Sequence, residues 1–557
     1  MKASDLFVRC LEEEGVEFIF GVPGEENAHF MMSLEKSDTI RFVLCRHEQV
    51  AAFMADVYGR LTGRAAVCLG TLGPGATNLV TGVADANMDR APLICITGQA
   101  DSKRQHKESH QAMDVVAMFT PLTKWATPII HQSNIPEVVR KAFKLATTEK
   151  PGAVHIELAE DIAQLETDAT PIPATRLRRP VPADKIVDQA VALLRQAKNP
   201  IILAGNGAIR KRASSQLRIF AENTGVGVVN TFMGKGALSG SDPRCLFTVG
   251  LQAADHAVVA MDEADLVITV GYDLVEYHPR LWNTPEHCEG QPADHKKIIH
   301  LDFLPAEVDE NYRVEVEVVG DLAHTLWMMN ERLEKEPLKF DLPHQHEVRE
   351  KMLADFATHK DDDTEGLIRP QKVLWDVRQV LDPGDIVLSD VGAHKMWIAR
   401  YYQAEDPNTV MISNGFCSMG FAMPGAMAAK LIYPERRVLA ICGDAGFLMN
   451  VQDLETAKRE GMNIVVMVWE DKEYGLIAWK QENEFGRHTD LAFENPDFLK
   501  LADAFGIKGI RVDNSRDLIP DLEEAFATDG PVLLSLPIDY RENALLTKRL
   551  GDISVSI

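Results

Sequence analysis

The chain has 557 residues, 46% of them apolar and 25% charged, a globular mix that excludes wholesale disorder and, at roughly 100–200 residues per domain, gives room for about three or four domains. Lys and Arg number 58 against 83 Asp and Glu, a net charge of −25, which excludes nucleic acid and anionic membrane as main partners. An anionic ligand must therefore be met by local donors or by a metal.

Short apolar, β-branched runs alternate with helical patterns along the chain. Phe18-Ile19-Phe20, Ala66-Val67-Cys68-Leu69 and Leu93-Ile94-Cys95-Ile96 are predicted strands near the start. Pro200–Leu203, Leu266–Val270 and Lys297–Leu301 follow, then Ile386–Leu388, Val438–Ile441 and Ile464–Val468. Apolar strands separated by helices predict buried parallel sheets and an α/β fold. Residues Thr167 to Ala183, rich in Pro, Thr and Arg, suit a linker. The stretch 334–366, with Glu334-Lys335-Glu336-Pro337 and Asp361-Asp362-Asp363, reads as loop or solvated helix. Three α/β blocks result, at 1–165, 185–330 and 366–545.

Eight scattered cysteines without a C-x-x-C pair read as reduced thiols. The opening Met1-Lys2-Ala3-Ser4-Asp5 and the acidic Glu12-Glu13-Glu14 do not have the charge-then-apolar order of a secretory leader. No apolar run reaches about 18 residues, so no membrane span is expected. A cytoplasmic location is the expectation.

The sharpest motif lies in the third block. The strand Val438–Ile441 runs into Gly443-Asp444-Ala445-Gly446-Phe447, a helix is expected from Val451 to Glu460, and the strand Ile464–Val468 leads to Asp471-Lys472-Glu473. This spacing puts Asp444 and Asp471 at the carboxyl ends of two strands, where open α/β sheets place ligands. Two carboxylates and loop carbonyls are hard oxygen ligands suited to Mg²⁺, and the glycines let N–H groups approach a phosphate. A surface turn with a capping Asp would read the same way.

Gly-Asp-x-Gly followed after one βαβ unit by an Asn or Asp resembles the signature of thiamine-diphosphate-dependent enzymes. The first block agrees with it through Gly21-Val22-Pro23-Gly24, Arg46-His47-Glu48-Gln49 and Gly73-Pro74-Gly75-Ala76-Thr77-Asn78. The subgroup it most resembles is acetolactate synthase. His110-Gln111-Ala112-Met113-Asp114, Glu276-Tyr277-His278-Pro279, Met396-Trp397-Ile398-Ala399-Arg400, Ile412-Ser413-Asn414-Gly415 and the tail Asp539–Asn543 are similar to its catabolic, flavin-free branch. The resemblance implies a pyrimidine-binding first domain, a central α/β domain and a third domain that binds diphosphate and Mg²⁺.

The resemblance also implies roles. Glu48 is expected to bond N1′ of the aminopyrimidine and drive the tautomer that takes the C2 proton. A carboxylate in an apolar pocket can share a proton in this way, because burial disfavours its charged form. Pro74 and Asn78 are expected beside it, and Met419 matches the wedge under the bent cofactor. Cys417 and Met419 would offer backbone groups to the pyrimidine. His394, Asp444, Ala445 and Gly446 would hold the diphosphate and its metal, with Asp471 and the carbonyl of Glu473 completing the ligands. His110, Gln111 and Glu25 fall at substrate-facing positions.

Other residues separate reactions. Simple decarboxylases resemble one another in a Glu six residues beyond the second metal ligand and in a His-His pair; here these positions hold Ile477 and His110-Gln111. An apolar wall offers no proton to the two-carbon fragment left after pyruvate loses CO₂, which favours ligation to a second 2-oxo acid. Glu25-Glu26 departs from the synthases toward the decarboxylases, and Lys480 follows Trp479 where the biosynthetic synthases carry their acceptor-selecting Trp. The expected activity is 2-acetolactate formation from two pyruvates. A decarboxylase or lyase acting on another 2-oxo acid is the alternative, and a non-catalytic paralogue is a third. Gly205-Asn206-Gly207 and Met233-Gly234-Lys235-Gly236 resemble FAD loops, but Gly271–Tyr277 matches the flavin-free pattern, so FAD is not expected. A homodimer or homotetramer with sites between chains is.

Overall fold

The computed structural model describes residues 1–175, 179–250, 256–288 and 294–546. Its strands sort into three six-stranded, all-parallel sheets. The first holds β1 (Phe18–Gly21), β2 (Arg41–Leu44), β3 (Ala66–Gly70), β4 (Leu93–Gln99), β5 (Trp125–Pro128) and β6 (Ala153–Ala159), in the order β2-β1-β3-β4-β6-β5. The second holds β7 (Pro200–Ala204), β8 (Val228–Asn230), β9 (Cys245–Thr248), β10 (Leu266–Val270), β11 (Lys297–Asp302) and β12 (Val316–Val319), ordered β12-β11-β10-β7-β8-β9. The third holds β13 (Ile386–Ser389), β14 (Val410–Ile412), β15 (Val438–Gly443), β16 (Val465–Glu470), β17 (Lys508–Arg511) and β18 (Val532–Pro537), ordered β14-β13-β15-β16-β18-β17.

Counted from each block's first strand, the first and third sheets have the same order. The sequence without an alignment could not establish that kinship. The middle sheet has the doubly wound order of dinucleotide-binding folds, with its switch point between β7 and β10. Helices cover both faces of each sheet, so β3, β4 and β6 are buried along their whole length, and apolar residues fill most of their positions.

The first and third sheets share one core. The helix Glu48–Thr62 begins where His47 accepts the Gln49 N–H at 3.1 Å and ends at Gly63 with φ 68°, a left-handed conformation that favours glycine. Its Phe53 packs edge-on against Phe421, with ring centroids 5.8 Å apart. A Cβ on Gly425 would lie 2.8 Å from Val57, so the helix Ala422–Ile432 approaches as closely as it does because that residue has none.

Two expectations change. The stretch 334–366 is not mainly a solvated connection: the helix Pro343–Phe356 buries Val348, Met352 and Phe356 in the central core. Its buried Arg349 donates to the carbonyls of Cys245 and Gly240. The Asp361–Asp363 run does lie at the surface. The helix placed at Val451 to Glu460 instead begins at Asp444 (Asp444–Met449), turns through Val451–Asp453 and resumes as Leu454–Arg459. Among the described residues, no helix is long and apolar enough to cross a membrane.

Candidate functional site

The first half of the site lies at the carboxyl edge of the first sheet. Glu48 opens the helix Glu48–Thr62 and is 8% exposed. Asn78, on the helix Pro74–Met88, donates to Glu48 Oε2 at 2.9 Å. Gly75 faces the same carboxylate: a Cβ there would stand 3.2 Å from Oε1. Gly73, with φ 50°, lets the loop after β4 approach, since its Cβ would meet the Gln111 carbonyl oxygen at 2.8 Å. Gln111 itself sits at φ 58°, a sparsely populated conformation for a residue with a side chain.

The turn Glu25–Asn27 joins this group through Glu26, which is buried and accepts from Thr71 Oγ1 at 3.0 Å. The structure therefore brings Glu48, Pro74, Asn78, Gln111, His110 and the Glu25 turn to one edge. Within one chain, Glu25, Pro74, His110 and Gln111 are exposed.

The second half lies at the carboxyl edge of the third sheet. Asp444 starts its helix immediately after β15 and is 1% exposed. Its Oδ1 accepts the Ala445 N–H at 2.8 Å, and its Oδ2 accepts from Asp471 N at 3.1 Å, Lys472 N at 2.8 Å and Asn495 Nδ2 at 2.7 Å. Asp471 follows β16, and a Cβ on Gly475 would stand 2.5 Å from its Oδ2. Burial first, then the Asp444 carboxylate, pushes the Asp471 carboxyl up to about 8. The Glu473 N–H lies 3.4 Å from Asp471 Oδ1, and its carboxylate pairs with His488 at 2.9 Å.

His394 is packed against Gly392 and Gly443, whose added Cβ atoms would lie 2.8 and 3.0 Å from its ring. Burial pushes its pKa down to about 3, and Nε2 has no partner among the described residues. Cys417 sits at φ 57°, with Lys395 Nζ 3.0 Å from its sulfur, and Met419 is half-buried two residues on.

Thiamine diphosphate and Mg²⁺ fit this arrangement. Two adjacent carboxylates disfavour one another unless a cation lies between them. The buried, unpartnered His394 Nε2 and Asn495 Oδ1 are polar atoms that a diphosphate and its hydrated metal could engage. Among the described residues, no group of three or more His, Cys, Asp or Glu is placed to hold a metal. The two carboxylates with a loop carbonyl would make an incomplete shell of the kind Mg²⁺ fills with phosphate and water.

Two site residues escaped the sequence reading. Asn495 latches Asp444 from 51 residues away, in coil without a motif. Asp390 follows β13, accepts the N–H groups of Val391, Gly420 and Phe421, and is held up to about 7 by burial. Its Oδ2 would stand 2.6 Å from a Cβ on Gly446. A strand–Asp–x–Gly pattern, like that of Asp444, was its available signal.

Comparison with known proteins agrees with this geometry. Residues 1–118 match the N-terminal thiamine pyrophosphate-binding domain of thiamine pyrophosphate enzymes, 187–329 their central domain and 390–536 their C-terminal thiamine pyrophosphate-binding domain. The acetolactate synthase of Bacillus subtilis (strain 168) is 33% identical over 97% of this chain and 94% of its own. The catabolic acetolactate synthase of Raoultella terrigena is 36% identical over 98% of this chain and 97% of its own. A probable acetolactate synthase large subunit of Methanococcus aeolicus is 34% identical over 97% and 92%. With two half-sites on sheets of one topology and such similarity along nearly its full length, the chain belongs to the thiamine pyrophosphate-dependent enzymes, close to the acetolactate synthases.

Proposed function

We propose that this protein is an acetolactate synthase that takes CO₂ from one pyruvate and joins the remaining two-carbon unit to a second, forming 2-acetolactate. It would use thiamine diphosphate and Mg²⁺, without FAD. The observation that carries the reaction is full-length similarity to proteins of that name. Bound thiamine diphosphate supplies the nucleophilic carbon and electron sink that decarboxylation of a 2-oxo acid needs.

The chain's own residues do the rest. Glu48, oriented by Asn78, holds and returns a proton at its carboxylate. Asp444, Asp471 and the Glu473 carbonyl would hold the metal, and His394, Ala445 and Gly446 would hold the diphosphate. Cys417 and Met419 would hold the pyrimidine end of the cofactor. Ile477, on the first turn of the helix Gly475–Phe485, presents an apolar side chain where a carboxyl group would protonate the two-carbon unit.

His110, Gln111 and Glu25 would face the substrate. Glu25 and His110 favour the second reading, a decarboxylase or lyase of 2-oxo acids. Product analysis with pyruvate decides between the two: acetolactate as the main product supports the synthase, and mainly acetaldehyde supports the second reading.

The site is completed by a second copy of the chain, in a homodimer or homotetramer. Exposure of Met113, Phe416, Met449 and Ile477 supports this, because such apolar surface beside polar catalytic groups calls for a partner. The eight free cysteines suit a reducing, cytoplasmic setting.

A further inference from the structure

The central domain has the strand order that binds dinucleotides, and its first loop, Gly205-Asn206-Gly207, follows β7 at the switch point with β10. In such folds this loop's N–H groups receive a phosphate. Here they receive a carboxylate of the same chain. The Asn206 N–H lies 3.1 and 3.0 Å from the two Glu276 carboxylate oxygens, and the Asp273 N–H lies 3.0 Å from Oε1. Thr231 Oγ1 donates to Oε2 at 2.5 Å while accepting the Gly234 N–H at 2.9 Å. Glu276 is 8% exposed, and a Cβ on Gly205 would stand 3.0 Å from its Oε1. The space above the loop is filled by this carboxylate.

Most of the surrounding cations are also engaged. Arg90 and Lys150, both from the first block, pair with Asp273. Lys235, in the second glycine-rich loop, is buried and turned toward Ala399 O at 2.8 Å and Thr248 Oγ1 at 3.1 Å. A cavity of about 320 Å³ opens beside Asn206; its Arg60, Arg179 and Arg210 are paired with Asp89, Asp321 and Glu149, and the exposed Arg212 also lines it. A phosphate entering at the loop itself would meet the Glu276 and Asp273 carboxyl groups, which already hold the loop's N–H groups. The residues present do not fit FAD at this loop.

We propose that the Glu276 carboxyl group occupies the phosphate position of the central domain, and that this side chain excludes FAD and ADP-containing ligands. This inference does not depend on which 2-oxo acid reaction the protein performs. Emptying the position should open it: with Glu276→Ala, the Asn206 and Asp273 N–H groups and the Thr231 hydroxyl face a vacated, polar pocket.

The test uses the full-length protein, its parent form and Glu276→Ala, titrated with ADP by calorimetry and with FAD by flavin fluorescence. The parent should show no saturable binding up to about 1 mM, and the variant should bind ADP at least about tenfold more tightly than the parent. Should Glu276→Ala fail to fold, Glu276→Ser carries the same expectation, its hydroxyl replacing one partner of Thr231 without reaching the loop. Stoichiometric FAD or ADP on the parent would overturn the proposal. So would a folded variant, with unchanged circular dichroism, that binds neither ligand better than the parent.

Discussion

Glu48 is buried and takes a hydrogen bond from Asn78, so an amide in its place keeps the shape and the neighbour but cannot pass a proton. Glu48→Gln should fold normally and slow hydrogen–deuterium exchange at C2 of bound thiamine diphosphate by about 10²-fold or more; an unchanged rate would remove Glu48 from the proton path. The two acids of the third block are not equivalent. Asp444 accepts four N–H bonds, three of them from outside its own helix. Asp471 is buried against a like charge and held up to about 8, so its ionised form is uncomfortable without a cation. Both Asp444→Ala and Asp471→Ala should lose cofactor retention at ordinary Mg²⁺. Without cofactor they should differ: Asp444→Ala leaves its donors unmet and should cost about 2 kcal/mol, whereas Asp471→Ala should leave the melting temperature equal or higher. Thermal melts with and without Mg²⁺ and thiamine diphosphate separate the two outcomes.

At the scale of elements, the helix Glu48–Thr62 carries a second burden beyond placing Glu48. Its Asp56 lies fully buried against Asp85 of the helix Pro74–Met88, and neither Asp56 oxygen has another partner among the described residues. The pair is satisfied when one carboxyl carries a proton. Burial pushes Asp56 up to about 7 from an ordinary 3.8, and burial with the nearby Asp89 and Asp56 carboxylates pushes Asp85 up as well. The folded chain thus binds more protons than the unfolded chain between the ordinary value and about 7, so stability falls as pH rises through that window. Asp56→Asn, which supplies donors of its own, should flatten this part of the melting-temperature profile. An identical slope in parent and variant would mean the pair does not titrate there. The acid pair was not legible in the sequence, because an Asp on a helix reads as a solvent face until the helix Ala422–Ile432 is known to pack over it. The Gly-Asp motif was legible, while its latch Asn495 lay in unpatterned coil. The helix Pro343–Phe356 was misread because its apolar residues are few among charges, and burial of Arg349 on backbone carbonyls leaves no periodic signal.

For the molecule as a whole, the decisive fact is that the first and third sheets share one strand order, and each carries a group of candidate site residues at its carboxyl edge. Inside one chain these two blocks are already packed. Arg46 N donates to Asp453 Oδ1 at 2.8 Å, Arg60 to the Ile412 carbonyl at 3.0 Å, and Ser413 to Asp85 at 2.6 Å. Among the described residues, the hydrogen bond to the Glu48 carboxylate comes from its own block, and Glu25, Pro74, His110, Gln111 and Ile477 remain exposed. A two-fold partner would lay the third block of one copy on the first block of the other and cover these residues twice, because such an interface offers the same patch on both copies. Each dimer then has two sites, each taking Glu48 from one chain and Asp444 from the other. Glu48→Ala and Asp444→Ala proteins should each be inactive alone. In a mixed dimer both lesions fall in one site and the other is intact, so co-expression should restore up to about half of the parent activity per mixed dimer. Two affinity tags isolate the mixed species. If that species, shown to be dimeric or tetrameric, stays as inactive as its parents, each chain uses its own Glu48 with its own Asp444, and the shared site is wrong.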